Sequence, residues 1–465
     1  MKKFAIPDLA KIIKAHPANQ VSSIEHRVSS ITGVSTDSRT IQADNCFFAI
    51  VGDNLDGHDY ISDAFDNGAV CAVVSKDTDS KKLTGRYVLM VDDTIKALGQ
   101  LAANYRRQSN FKVIAITGST GKTTTRQIVY HVLSQRYRCH QAPKNFNNNI
   151  GLPLTLLGAD PQHEIIIAEL ASNHSGEIAC LTKIAKPNLA LITNVHPAHL
   201  EGFGNLETVA AEKLSIAKGL PPNGTLIINA NLLKWLNHQS PLADYKIITF
   251  GKSDESDIKA KNITYSPKQS RFTIDGTEVL LPLPGAGNVE SALAAFSVSS
   301  RFGININDFA QAVKTLHAVP MRTELLQIGT LTVLNDCYNA NPASMKNALD
   351  ILANLGSDEN RRLVFICSDM AELGRQAQTL HEQLGAHVPK ANVRLLLTIG
   401  KFANITADSA TKTAKYNLQT KSFEDTASAC NNLHDYTKDD DIILVKGSRI
   451  ARLETVIEKI KELFT

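Results

Sequence analysis

Residues 116–125, ITGSTGKTTT, have the residue types and spacing of a phosphate-binding loop. The apolar run KVIAIT (112–117) leads directly into Gly118, Ser119, Thr120, Gly121, Lys122, Thr123 and Thr124, and TTTRQIVYHVLS reads as the helix that follows. Backbone N–H groups at such a strand-to-helix turn, backed by the helix N-terminus, form an anion site. Lys122 adds a positive charge for the outer phosphates, and the Thr123 hydroxyl suits a magnesium ion, which prefers oxygen ligands. The loop is a GxxGKT variant, because Ile116 stands where GxxxxGK[ST] needs its first glycine. The competing reading is a Gly/Thr-rich turn with no ligand.

Three further residues stand out. Glu169 closes the apolar run EIIIAE (164–169), and a carboxylate at the carboxyl end of a parallel strand lies at the crevice where α/β sheets bind ligands. His199 follows LALIT (189–193) and a turn containing Pro197; a lone histidine there is usually structural or exposed. Residues 206–220 read as one helix whose stripe of Val209, Ala210, Ile216 and Ala217 also carries Lys213. A lysine on a core-facing stripe breaks the local pattern, and such breaks concentrate at functional sites. The alternative is a lysine whose amine snorkels to water.

The elements that must hold these residues fall into three groups. Residues 1–105 mix short strands (CAVVS 71–75, YVLMV 87–91) with Asp- and Gly-rich turns such as VGDNLDGHDY (51–60). Residues 106–320 alternate KVIAIT, EIIIAE, LALIT, TLIIN (225–229) and KIITF (246–250) with helical segments, then give a hairpin around Asp275-Gly276. Residues 321–465 restart the rhythm with LTVLN (331–335), LVFIC (363–367), LLLTI (395–399) and IILV (442–445). The expected fold is α/β in three domains: an N-terminal domain, a central P-loop-type domain with a mainly parallel sheet, and a C-terminal Rossmann-like domain.

Composition narrows the classes. The 465 residues are 43% hydrophobic and 20% charged, ordinary for a globular protein. Lys plus Arg number 49 against 46 Asp plus Glu, a net charge of +3, so no dedicated nucleic-acid binder is indicated. Seven scattered cysteines without a CxxC pair argue against a disulfide framework or zinc site. MKKFAIPDLAKIIKAHP is a poor signal peptide, and no apolar run approaches the roughly 20 residues of a membrane span. A soluble, cytoplasmic protein, with no stable membrane insertion and monomeric, is expected.

Beyond the loop, the chain resembles the Mur ligases of peptidoglycan synthesis. The resemblance runs through all three groups: TDSR (36–39), TGSTGKTTT (117–125), NFNNNIGLPLTLL (145–157), ELASNHSGEI (169–178), AHLEGFG (198–204), NDCYNANPASM (335–345), DMAELG (369–374) and KGSRIARLE (446–454). YNANPASM together with AHLEGFG points to the branch that joins D-alanyl-D-alanine to UDP-N-acetylmuramoyl-tripeptide. The resemblance implies ATP and Mg2+ as cofactors and an acyl-phosphate intermediate on the tripeptide carboxylate. It implies Glu169, His199 and a carbamylated Lys213 as magnesium ligands beside Thr123, and Asn288, Arg322 and Asp336 around ATP, with Arg322 meeting the γ-phosphate on domain closure. Asn288 also reads as the N-cap of the helix after PLPGAG. By the same resemblance Asp37, Ser38 and Arg39, with the DGHDY turn, hold the UDP part in the first domain. Asn147 and Asn148 offer amides to a polar substrate, and Asn339, Asn341 and Ser344, with DMAELG, surround the dipeptide.

The chain departs from the family pattern at Ala171 and Met321, where glycine is usual, at Gly287, where histidine is common, and at Ser215, where an acidic residue is frequent. Two other readings compete. A folate polyglutamate synthetase or another Mur-type ligase would share the loop but lack YNANPASM and the TDSR-bearing domain. A P-loop switch would need neither Lys213 on an apolar face nor a third α/β domain.

Overall fold

A computed structural model describes residues 1–18, 30–77, 83, 85–143, 145–236, 244–357 and 361–465. The central sheet has seven parallel strands in the order Ile258–Lys259, Lys246–Gly251, Thr225–Asn229, Leu189–Ile192, Lys112–Thr117, Ile165–Glu169, Cys139–Gln141. Its strands are near-continuous apolar runs because both faces are covered. Ile114, Ile116, Ile167 and Leu191 pack against helices Lys122–Leu133 and Ala286–Ser299. Their neighbours Val113, Ala115, Ile166 and Ala190 point the other way, toward helices Gly151–Leu157 and Glu177–Ala185. After Ile165–Glu169 the chain crosses Lys112–Thr117 to build Leu189–Ile192 on its far side. That reversal leaves a crevice at the carboxyl ends of these three strands, where the phosphate loop, Glu169 and Thr193 emerge.

The Asp275-Gly276 hairpin forms with both turn residues at positive φ (48° and 81°), as a tight right-twisted hairpin requires. It belongs to a separate three-stranded antiparallel sheet with Lys261–Tyr265. The helix read over 206–220 stops at Leu214 and continues as a 3-10 turn, Ser215–Gly219. At Gly219 a Cβ would lie 2.1 Å from Thr182 Oγ1, so this end of the segment packs against helix Glu177–Ala185 at backbone distance.

The C-terminal sheet runs Glu324–Ile328, Leu331–Asn335, Ile442–Lys446, Leu363–Ser368, Leu395–Ile399, Gln419–Phe423. The four strands read from sequence are its interior. The two it adds, ELLQI and QTKSF, are edge strands with mixed polar composition. The N-terminal sheet has five strands, with Ala69–Val74 and Tyr87–Met90 inside it.

Contacts between the groups are specific. Helix Thr94–Gln108 docks on the central domain through Tyr105 Oη, which donates to Ala159 O (2.8 Å), and Arg106, which donates to the carbonyls of Phe111, Ala185 and Lys186. Leu200, Phe203 and Val209 of the central domain share one apolar core with Leu334, Met345 and Leu349 of the C-terminal domain. All seven cysteines are free, and among the described residues no helix is long and apolar enough to cross a membrane.

Candidate active site

The phosphate loop owes its shape to two glycines. Gly118 has φ 144°, and a Cβ there would lie 1.9 Å from Thr193 Oγ1; Gly121, at φ 76°, ends the loop where helix Lys122–Leu133 begins. Residues just after the neighbouring strand hold it. Thr193 Oγ1 donates to Thr120 O (2.6 Å), Thr120 N–H donates to Asn194 Oδ1 (2.9 Å), and Asn194 Nδ2 donates to Thr120 Oγ1 (2.8 Å). Ser119 Oγ donates to His196 O (2.9 Å) and accepts from His196 N–H (3.0 Å). Lys122 Nζ rests on Gly118 O at 2.7 Å, folded over its own loop.

Glu169 is buried directly beside this helix start. Its Oε2 accepts from Thr123 Oγ1 (3.0 Å) and its Oε1 from Asn147 Nδ2 (2.9 Å), with Arg126 Nε 3.9 Å away. Burial alone would raise its pKa, but the charges of Lys122, Arg126 and Arg322 and the Asn147 bond hold it below the ordinary carboxylate range. A hydroxyl and an ionised carboxylate in contact form an oxygen donor pair of the kind magnesium takes alongside phosphates and water. Among the described residues no three His, Cys, Asp or Glu side chains converge as a protein-only metal cage.

His199 and Lys213 lie apart from that pair. His199 adopts a left-handed φ of 54°, and its Nδ1 pairs with the carboxylate of Glu372, itself at φ 62°, across the boundary with the C-terminal domain. Lys213 is 2% exposed; its Nζ donates to Ser172 Oγ at 2.8 Å and lies 5.4 Å from the Phe203 ring centroid. Burial, reinforced by the charge of Lys122 and opposed by Glu212 and Glu177, pushes its pKa down to about 7. It does not snorkel. It also does not line the cavity that the other site residues share.

That cavity, about 380 Å³, opens between the central and C-terminal domains. Its walls bring together the phosphate loop from Ser119 to Thr124, Glu169, His199, Asn288, Arg322, Asp336, Asn339, Asn341 and Ser344. Arg322 stacks on Tyr338, 4.2 Å from guanidinium carbon to ring centroid. Asn288 is not an N-cap: the helix begins at Ala286, and Asn288 Nδ2 donates to Pro284 O (2.7 Å) and Thr323 Oγ1 (3.1 Å), tying two domains together. Asp336 pairs with buried Lys446 at 2.6 Å and accepts from Thr323 N–H at 3.0 Å. Asn341 and Ser344 cap helix Pro342–Leu355 reciprocally, so their side chains face the cavity while bonded to backbone. A second cavity, about 1040 Å³, lies at the carboxyl ends of the C-terminal strands and shares Ala371, Glu372 and Leu373 with the first.

Other expected residues are placed elsewhere. Asn148 turns its side chain to the N–H groups of Ile150 and Gly151. Asp37 pairs with exposed Arg39 at 2.7 Å, and Ser38 is buried; none of the three lines the interdomain cavity. Met321 sits at φ 63°, a conformation glycine adopts freely and a side chain holds at about 1–2 kcal/mol. Sequence reading passed over Arg126, Thr193, Asn194, His196 and Lys446. The signal for Thr193 and Asn194 was their place just beyond the apolar strand LALI, the position that singled out Glu169. Lys446, ending IILVK, carried the same signal.

A phosphate loop facing a second α/β domain across a shared, polar cleft defines a nucleotide-dependent enzyme with its site between two domains. Residues 30–106 match the Mur ligase family catalytic domain, 116–299 the Mur ligase middle domain, and 321–449 the Mur ligase glutamate ligase domain. The chain belongs to the Mur ligase family. It is 32% identical, over 99% of both chains, to the UDP-N-acetylmuramoyl-tripeptide–D-alanyl-D-alanine ligase of Bacillus subtilis. Its fold is similar to that of MurF from Acinetobacter baumannii (TM-score 0.87, 28% identity, 99% of both chains). It is also similar to MurF ligase from Thermotoga maritima in complex with ADP (TM-score 0.78, 26% identity, 92% of this chain and 97% of that one).

Proposed function

We propose that the protein is the ATP-dependent ligase that joins D-alanyl-D-alanine to UDP-N-acetylmuramoyl-tripeptide in peptidoglycan precursor synthesis, working as a cytoplasmic monomer. One observation carries the reading: a single cavity has the phosphate loop as one wall and the YNANPAS segment of another domain as the opposite wall. A nucleotide switch needs only the first wall.

The chain's own groups divide the work. The loop N–H groups and Lys122 bind the phosphates of ATP, and Arg322, stacked on Tyr338, offers a second cation where the γ-phosphoryl group moves to the tripeptide carboxylate. Thr123 and Glu169 would hold magnesium, which neutralises phosphate charge when bound. His199, through the ring nitrogen that Glu372 does not hold, and Lys213, as the carbamate of its neutral amine, would complete that site only by turning toward it from their present partners Glu372 and Ser172. The Asn288–Thr323 bond ties the C-terminal domain to the ATP-binding domain, and the Asp336–Lys446 pair, with Asp336 accepting from Thr323 N–H, holds Thr323 in place for it. Asn339, Asn341, Ser344 and residues 369–374 receive the dipeptide, and Asp37, Ser38 and Arg39 serve the UDP moiety. Closure excludes water from the acyl phosphate.

The test is phosphate release with UDP-N-acetylmuramoyl-tripeptide against a panel of amines. Release should require the tripeptide and be fastest with D-alanyl-D-alanine. Equal stimulation by single L-amino acids would overturn the assignment of the amine, and turnover with ATP alone would favour a switch.

A further inference from the structure

The ligase reading leaves one proton unassigned. An α-amino group with a pKa near ~8 enters mostly as an ammonium at neutral pH and cannot attack an acyl phosphate until a proton leaves. A base in the cavity, uncommitted and unprotonated, would take that proton where the amine attacks.

Most bases lining the cavity are committed. Glu169 is held by Thr123 and Asn147, Asp336 by Lys446, and Glu372 by His199, whose other ring nitrogen would serve magnesium. Glu290 lies 3.7 Å from Lys252, and Asp350 3.5 Å from His387. His196 is the exception. It is half-buried, it lines the cavity, and its imidazole makes no hydrogen bond or ion pair with any described residue. Its backbone is clamped to Ser119 in both directions, and Pro197 after it restricts it to extended conformations. The ring is thus anchored beside the loop that delivers the phosphoryl group. Burial lowers its pKa, which keeps the ring neutral at physiological pH.

We propose that His196 is the proton acceptor of the amide-forming step. A free imidazole nitrogen takes one proton from the ammonium of the incoming dipeptide. The released lone pair forms the C–N bond to the acyl carbon. The bond from that carbon to the phosphate oxygen breaks, its electron pair leaving with phosphate, which takes the second amine proton. The imidazolium then returns its proton to water.

The experiment compares two nucleophiles on wild-type protein and on His196→Gln, with ATP, magnesium and UDP-N-acetylmuramoyl-tripeptide present. D-alanyl-D-alanine needs a base. Hydroxylamine is already neutral at neutral pH and traps the acyl phosphate as a hydroxamate without one. The ratio of dipeptide turnover to hydroxamate formation should fall about 10²-fold or more in the variant, the usual contribution of a positioned base. Because it is a ratio, it does not depend on the fraction of protein that folds. An unchanged ratio, whether both rates fall together or neither falls, overturns the proposal. Absence of hydroxamate with the wild-type protein would instead overturn the ligase reading on which the proposal rests.

Discussion

Replacing Lys213 by methionine keeps an unbranched apolar stem and removes the amine, so it isolates most of what burying that amine costs. The group is 2% exposed and its pKa falls from 10.5 to about 7. At about 1.4 kcal/mol per unit, holding a lysine there costs up to about 5 kcal/mol at pH 7. Methionine avoids that cost but leaves Ser172 Oγ without its partner, a loss of about 1–3 kcal/mol. Lys213→Met should therefore stabilise the central domain at pH 7, by about 2 kcal/mol, while abolishing ligation. The unfolded lysine keeps its proton up to about pH 10.5, whereas the folded one sheds it near pH 7. Across that window the unfolded state binds more protons, so wild-type stability rises with pH and the variant's advantage shrinks. The single tryptophan, Trp235, lies in the central domain and reports its urea unfolding by fluorescence. Midpoints would be followed from neutral to alkaline pH in carbon dioxide-free buffer. A lower midpoint for Lys213→Met at pH 7, or an advantage that grows with pH, would show that burial does not hold the amine neutral. Full ligase activity in the variant would remove Lys213 from the metal site.

Two further outcomes follow from the site. Lys122→Ala removes the cation over the phosphate loop and should lower kcat by about 10²-fold or more, measured as ADP formation, with the fold intact by circular dichroism. Asp336→Ala strands Lys446, which is 2% exposed, without its partner, and should cost the C-terminal domain about 3–5 kcal/mol in urea unfolding; Asp336→Ala with Lys446→Met should recover much of that loss.

Sequence legibility followed local chemistry. Strands such as Lys112–Thr117, Thr225–Asn229 and Leu331–Asn335 were readable to the residue because apolar runs buried on both faces have sharp ends. The edge strands Glu324–Ile328 and Gln419–Phe423 were not, because one side meets solvent and tolerates polar residues. The phosphate loop was visible because its glycines, Lys122 and Thr123 are contiguous. Lys213 was visible because a charge on an apolar stripe is a local contradiction, and the structure places it in the core.

What the sequence could not decide is which distant groups meet. Asn147 in a loop and Glu169 at a strand end look unrelated in the chain, yet they bond at 2.9 Å. Asn288 reads locally as a helix cap, but its partner Thr323 comes from another domain. The pairing of His199 with Glu372 spans 173 positions, and that of Asp336 with Lys446 spans 110. By itself the sequence determined the three-domain α/β plan, the phosphate loop and the buried lysine, because each follows from neighbours within a turn or a strand. Only the tertiary structure decided which carboxylates are committed to partners and that the His196 imidazole bonds to no described residue, because side-chain pairing between distant segments depends on how the sheets are placed in space.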